Sequence, residues 1–154
     1  MWPWLIPPIV VVAGAAAVLA GRRLRRFGRD VSAARARELF KLQRERLEAH
    51  FLRAAAATGK PRGLRWVDCE WDDAVAFVRD RQSRQIAALV GVTIQFEAIP
   101  GGEMEGNPAV GNLKNASAVF FFQRGHWHTV GKAVFNMNPD EALAHFHSQY
   151  EPLT

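Results

Sequence analysis

The 154 residues include 49% hydrophobic residues and a single cysteine, Cys69, which excludes an intrachain disulfide framework and a CxxC zinc or redox site. The net charge of +5 originates in residues 1–65, which hold 14 Lys and Arg against 4 Asp and Glu, whereas residues 66–154 hold 6 against 11. Because a nucleic-acid-binding domain normally carries basic residues on its folded part, this distribution argues against a nucleic-acid partner.

The first predicted element is a membrane anchor over residues 1–21. No charged side chain occurs from Met1 to Gly21, and five arginines follow within eight positions: Arg22, Arg23, Arg25, Arg26 and Arg29. About 20 apolar helical residues, at roughly 1.5 Å rise each, span a hydrocarbon core about 30 Å thick. A cleaved signal peptide would carry its basic residues before the apolar run, so the pattern favours an uncleaved signal anchor.

The arginines form a basic juxtamembrane segment over residues 22–30, which also predicts the topology. The arginine-flanked end of a spanning helix stays in the cytoplasm, so we expect a single-pass protein with its N-terminus outside and its C-terminal domain cytoplasmic. Arg outnumbers Lys by 16 to 4, which hints at a GC-rich bacterial genome and hence the inner membrane. Besides the bilayer itself, anionic lipid headgroups are a predicted partner of the arginines. The alternative, that the arginines only determine the topology, stays open.

An amphipathic helix is predicted over about residues 31–57. Asp30 or Ser32 can cap its start, and the Thr58-Gly59-Lys60-Pro61 segment ends it. Its apolar residues recur at spacings of three and four and draw one stripe: Ala36, Leu39, Phe40, Leu47, Phe51 and Ala54 or Ala55. This stripe can pack on the domain's own sheet, pair with a second copy as a short coiled coil, or lie in the membrane interface.

We expect the stripe to have two roles. The C-terminal half, from Leu47 to Ala57, should dock on the sheet. Leu39 and Phe40 should be available to a partner close to the membrane, which is either a membrane-associated protein or a second copy. An open sheet edge is the other surface that can serve this purpose.

Two β-hairpins follow, because the hydrophobic period changes to two from Leu64 onward. The first covers about residues 64–99 and the second about 117–137, which makes a four-stranded antiparallel sheet with one buried and one wetter face. In the first hairpin, Asp72-Asp73 predicts a bulge or short turn. In the second, a turn at Arg124-Gly125 aligns five side chains on one core face: Phe120, Phe122, Trp127, Phe135 and Met137.

A final helix is predicted over about residues 139–150, since Asn138 can cap it and Pro139 fits its first position. The result is one α+β domain over residues 31–154. Its order of elements, a helix and then a curved four-stranded meander, resembles that of cystatin-like and NTF2-like domains. The resemblance implies a cone-shaped fold and leaves function open, since such cones serve as enzymes, ligand pockets or dimerisation modules.

The loop over residues 100–116 is the first candidate site, because loops longer than about 12 to 15 residues are often functional. Its Gly101-Gly102 pair has neither the following Lys-Ser/Thr nor the βαβ setting of a phosphate-binding loop. Glu103 and Glu105 fall short of the oxygen ligands that a calcium loop needs. We therefore predict no cofactor from this segment.

Three side chains outside the loop have chemical potential. His126 and His128 are two apart on a strand, so both point the same way, as pairs of metal ligands do. No third ligand is evident, so surface histidines are the favoured interpretation and no metal is predicted. The alternation places Cys69 with Val67 and Trp71 on an apolar face, and nearby acids raise rather than lower a thiol pKa, so we predict a packed cysteine and no catalytic residue.

Two function classes remain. The first is a non-enzymatic, cytoplasm-facing interaction or assembly module at the membrane. The second is a small-ligand-binding or hydrolytic domain with a pocket between sheet and helix under the 100–115 loop. A filled core with exposed apolar surface favours the first class, and a deep pocket with inward polar groups favours the second.

Overall fold

The structure, a computed structural model, describes residues 6–59 and 61–154. It has a long helix, an antiparallel sheet of six strands and a short C-terminal helix. The helices are α1 (Ile6–Ala57) and α2 (Pro139–His145), and the strands are β1 (Leu64–Asp80), β2 (Ile86–Ala98), β3 (Lys114–Gln123), β4 (His126–His128), β5 (Ala133–Phe135) and β6 (Tyr150–Pro152). The predicted α+β class is confirmed, whereas the sheet has two strands more than expected.

Helix α1 passes through the expected boundary at residue 31. Asp30 and Ser32 are therefore not N-caps, and the Ser32 hydroxyl donates to the carbonyl oxygen of Arg29, 2.8 Å away. Serines inside helices commonly return this bond to the preceding turn. The predicted C-terminus is confirmed: α1 ends at Ala57 and Gly59 takes a φ of 62°, the left-handed conformation that glycine adopts without steric cost.

By its internal contacts the chain divides into two units, one ending at Arg35 and one from Ala36 to Thr154. Within residues 6–59 and 61–154, no helix combines the length and the apolarity needed to cross a bilayer. The predicted anchor begins at Met1, and its first five residues lie outside the described ones.

The strand order in the sheet is β4-β3-β2-β1-β6, with β5 also paired to β3. The first predicted hairpin is confirmed, since β1 pairs with β2 from Leu64 to Arg79. In the second, Phe122 pairs with Trp127 as predicted. Arg124 and Gly125 form the turn with φ of 51° and 79°, and positive φ at both central residues is the mark of a type I′ turn.

The expected strand over residues 126–137 is two short strands, β4 and β5. Between them Gly131 lies against the α1 backbone, where an added Cβ would be 2.3 Å from the nitrogen of Ala55. The chain leaves the sheet to make this contact and then returns, so β4 and β5 pair with different parts of β3.

Both faces of the sheet are covered by helices. Between α1 and the sheet lies a group of rings in contact, two from the helix and five from the strands: Phe40, Phe51, Trp66, Trp71, Phe77, Phe120 and Trp127. On the opposite face α2 closes a second core of Val78, Ala87, Leu89, Val119, Ala142 and Tyr150. The predicted alternation in β2 is therefore seen only from Val92 onward, and residues 86–91 are buried on both faces.

Two bulges in β1 determine which of its side chains face α1. The first lies between Trp66 and Asp68; it leaves Val67 exposed and buries Trp66, the reverse of the expected alternation at these two positions. The second, at Asp72-Asp73, is the predicted bulge. Gly91 lies opposite, where an added Cβ would be 3.0 Å from the Cβ of Asp72, so the bulge fits because this position has no side chain.

The start of α2 is as predicted. The Asn138 carboxamide oxygen accepts the N–H of Glu141 and the Glu141 carboxylate accepts the N–H of Asn138, both at 2.9 Å, a reciprocal capping box. The helix ends at His145, earlier than expected. Tyr150, expected at the end of this helix, instead lies in β6, where it pairs with Asp80 of β1 and is buried. Leu153 continues this contact by donating its N–H to the carbonyl of Phe77 at 2.9 Å.

Candidate functional site

Exposed apolar side chains are concentrated in the helical segment before Arg35. Every residue from Val10 to Ala20 is exposed, including the large side chains Val10, Val11, Val12, Val18 and Leu19. Apolar surface in water is unfavourable by about 25 cal/mol per Å². Contiguous exposed apolar surface of this kind marks a membrane or protein interaction site.

The next three turns of the same segment are amphipathic. At about 100° per residue, Leu24, Phe27 and Val31 fall on one side of the helix. Their side chains are 71%, 69% and 51% exposed. Four of the five predicted membrane-proximal arginines lie on the opposite side, whereas Arg23 is about 40° from Phe27 around the helix. All five are exposed: Arg22, Arg23, Arg25, Arg26 and Arg29. We call Leu24, Phe27 and Val31 the stem face.

The expected partner surface at Leu39 and Phe40 needs correction. Phe40 is only 2% exposed, and its ring centroid lies 5.5, 5.6 and 5.0 Å from those of Phe77, Phe120 and Trp127. Leu39 is half-buried. From Ala36 onward, the buried positions of α1 repeat at helical spacing: Ala36, Phe40, Leu47, Phe51 and Ala55. They pack on the domain's own sheet, which is the first of the three placements considered for the stripe.

The outer edge of β1 is the second surface considered for a partner. β6 pairs only with its last three residues, and no other strand of residues 6–59 and 61–154 pairs with this edge. However, Asp68 accepts the N–H of Cys69 at 2.8 Å, and the Arg44 guanidinium donates to the carbonyl of Asp72. Bulges and charged side chains of this kind prevent strand addition, so the edge is protected.

Cys69 is half-buried. Burial, and to a lesser extent the charge of Asp68, raises the pKa of its thiol to about 12. Because the thiolate is the nucleophilic form, this cysteine is chemically inert at neutral pH.

His126 and His128 lie on the same face of β4, as their spacing predicts. His126 is exposed, while the half-buried ring of His128 has its centroid 5.7 Å from that of Phe121. Among the residues that the structure describes, no three or more His, Cys, Asp or Glu side chains form a group that could hold a metal ion.

The 100–115 loop uses its polar side chains for its own turns. Glu105 accepts the N–H of Gly101 at 2.8 Å, and Asn107 caps a short 3-10 helix, Pro108–Gly111, by accepting the N–H of Ala109 at 2.9 Å. An open groove of about 460 Å³ lies near the end of α1, and none of its lining residues belongs to this loop. They are Thr58, Trp66, Val130, Gly131, Lys132, Ala133 and Phe135.

A polar cleft of about 260 Å³ lies on the α2 side of the sheet, lined by Asp80, Gln85, Ala87, Phe121, Lys132, Gln149 and Tyr150. Hydrogen bonds from the Ser83 N–H and the Gln149 side chain lower the pKa of Asp80, and burial followed by the Asp80 charge raises the pKa of Tyr150. The sequence contained no signal for this cleft, because its residues come from separate strands and loops.

Comparisons with known proteins found no significant match to a family model, a curated protein or a solved structure.

Proposed function

We propose that this chain is a non-enzymatic interaction module, held at a membrane by residues 1–21 with its α+β domain in the cytoplasm. The exposed apolar run from Val10 to Ala20, directly before the arginine cluster, carries the proposal. Lipid would cover the apolar surface, and each juxtamembrane arginine would contribute on the order of 1 kcal/mol at an anionic leaflet. The cluster would also keep the following domain on the cytoplasmic side.

The interior of the domain supports an interaction role over an enzymatic one. Aromatic rings occupy the space between α1 and the sheet where the alternative function would need a pocket. The thiol of Cys69 stays protonated, and the polar groups of the 100–115 loop hold that loop together. The packing of α1 on one face of the sheet also supports the resemblance to cystatin-like and NTF2-like domains, which assigns no function by itself.

The stem face is the partner surface that we propose in place of Leu39 and Phe40. Its three side chains are large, apolar and exposed. Because four of the five arginines lie on the opposite side of the helix, a second copy or another membrane helix can approach this face and meet only Arg23 at its border. The protected edge of β1 and the buried stripe of α1 leave fewer alternatives on the domain.

The anchor is tested on the full-length chain in bacterial membranes. We expect it to remain in the membrane after a carbonate wash, and we expect protease added outside the cell to leave the C-terminal domain intact. Replacing the five clustered arginines by Gln should scramble the orientation, whereas Arg46→Gln with Arg53→Gln, two exposed arginines of α1, should not. A chain released by carbonate, or a mature chain that starts near Gly21, would contradict the proposal.

The stem face is tested separately by affinity purification from detergent-solubilised membranes. A variant with Leu24→Ser, Phe27→Ser and Val31→Ser should lose the copurifying partner or second copy while staying in the membrane. Leu42→Ser, which changes an exposed leucine of the same helix, is the matched control and should retain it. If the triple variant recovers the same partners, the stem face is not the partner surface, although the anchor can still hold.

A further inference from the structure

We propose that the cleft on the α2 side of the sheet binds a small monocarboxylate, with Lys132 as the contact for its carboxylate group. This site is separate from the proposed membrane role and does not depend on it. The cleft lies entirely within the unit from Ala36 to Thr154.

The floor of the cleft is apolar and fixed. Ala87 and Phe121 are direct partners across β2 and β3. The alanine is buried, and its short side chain leaves room beside the phenyl ring, which is itself half-buried. A flat or short hydrocarbon group can lie on this floor.

Lys132, which lines the cleft, supplies a cation without a direct ion pair in the part of the chain that the structure describes. Lys132 is exposed and forms no ion pair with a carboxylate of residues 6–59 and 61–154. Its main chain is held in place, because its carbonyl accepts the N–H of Val119 at 2.9 Å. The Lys132 side chain therefore starts from an ordered main chain, and its ammonium group can donate charge-assisted hydrogen bonds to a carboxylate.

The other polar groups that line the cleft favour a ligand with a single negative charge over a dianion. The Asp80 carboxylate is already occupied, since it accepts N–H bonds from Gln82, Ser83 and the side chain of Gln149. Its negative charge remains in the cleft and opposes any anion there, a dianion such as phosphate about twice as strongly as a monocarboxylate. Tyr150 keeps its proton and, with the Gln85 amide, adds hydrogen-bonding capacity for a neutral or singly charged ligand.

The size of the cleft sets a further limit. Its volume of about 260 Å³ lies just below the roughly 300 to 1,000 Å³ typical of sites for drug-sized ligands. The ligand class is therefore a short-chain or single-ring carboxylate.

The test is saturation-transfer NMR on the full-length chain in detergent micelles, with benzoate as the probe and benzamide as its uncharged counterpart. We expect saturable binding of benzoate and none of benzamide. Lys132→Gln should weaken benzoate binding about tenfold or more, as expected for the loss of a charge-assisted hydrogen bond. Lys132→Arg should restore binding, and Lys114→Gln, which removes a lysine outside the cleft, should leave binding unchanged.

Three results would overturn the proposal: no saturable benzoate signal, equal binding of benzamide, or equal binding by the Lys132→Gln variant. The last two would indicate partition into micelles or contact with the arginine cluster. Because the Lys132 side chain is exposed, an unchanged melting temperature of the Lys132→Gln variant is expected and verifies that the loss is local.

Discussion

The indole N–H of Trp127 donates a hydrogen bond to the main-chain carbonyl of Ala36, 2.8 Å away and buried. The bond joins β4 to α1, and the Trp127 ring lies against that of Phe40 one turn further along the helix, with ring centroids 5.0 Å apart. A polar group and an apolar ring of one side chain thus fix the position of the helix on the sheet. Buried tryptophans normally find such a partner for their N–H.

Substitutions of Trp127 should separate these two contributions. Trp127→Phe keeps a ring but leaves the Ala36 carbonyl without this donor, so we expect a loss of about 1 kcal/mol in the free energy of unfolding. Trp127→Ala also removes the packing and should cost about 3 to 5 kcal/mol. His128→Ala, on the neighbouring and partly exposed residue, should cost less than either. Chemical denaturation that ranks these variants in the opposite order would contradict the described placement of β4.

Gly131 should be the least replaceable glycine of the domain. Its φ of +75° is strained for a side chain, and an added Cβ would be 2.3 Å from the Ala55 nitrogen. Gly125 is the matched control, because its φ is +79° and nothing lies within 4 Å of an added Cβ. We expect Gly125→Ala to cost about 1 to 2 kcal/mol for the backbone alone, and Gly131→Ala to cost a further 1 to 3 kcal/mol or so from overpacking. Equal melting temperatures would show that the backbones do not approach this closely.

Two leucines of α1 test the packing of the helix on the sheet. Leu47 is 5% exposed and Leu42 is 76% exposed. Leu47→Glu buries an unpaired carboxylate and should unfold the domain, whereas Leu42→Glu should leave the circular dichroism spectrum and melting temperature unchanged. A folded Leu47→Glu variant that has lost a partner would instead indicate that the stripe serves association.

The thiol of Cys69 should be unreactive in the folded protein. With its pKa raised to about 12, only roughly one molecule in ten thousand carries the thiolate at pH 8. Alkylation by iodoacetamide at that pH should therefore be slow in the native chain and fast in denaturant. Asp68→Asn should accelerate it only slightly, because burial is the larger cause of the shift; rapid alkylation of the native wild type would show that the thiol is not buried.

The Cys69 thiol also makes the stability of the fold depend on pH. The folded state keeps the thiol proton that the unfolded state releases above its pKa of 9.0. Stability should therefore fall as the pH rises from about 9.0 towards 12. Cys69→Ser, whose hydroxyl does not titrate in this range, should show a shallower decline in denaturation experiments, and an identical decline would remove Cys69 as the cause.

The sequence by itself determined the features that depend on a few consecutive residues. The Arg124-Gly125 turn, the Asn138-Pro139 helix start, the end of α1 at Ala57 and the bulge at Asp72-Asp73 are all found where the residue pattern predicts them. Glycine conformations, proline geometry and capping side chains act over a few bonds, so these features do not depend on the rest of the fold.

Only the tertiary structure decided which surfaces are buried. Phe40 lies in the core because α1 packs on the sheet, and Val67 is exposed because of the first bulge in β1. Helix α2 covers the face of β2 that was expected to be wetter, and so forms a second core. The polar cleft likewise joins Asp80, Lys132 and Tyr150 from distant parts of the chain. Hydrophobic periodicity indicates that a side chain is suited to burial, but the partner that buries it comes from another element, and nothing in the local sequence specifies that partner.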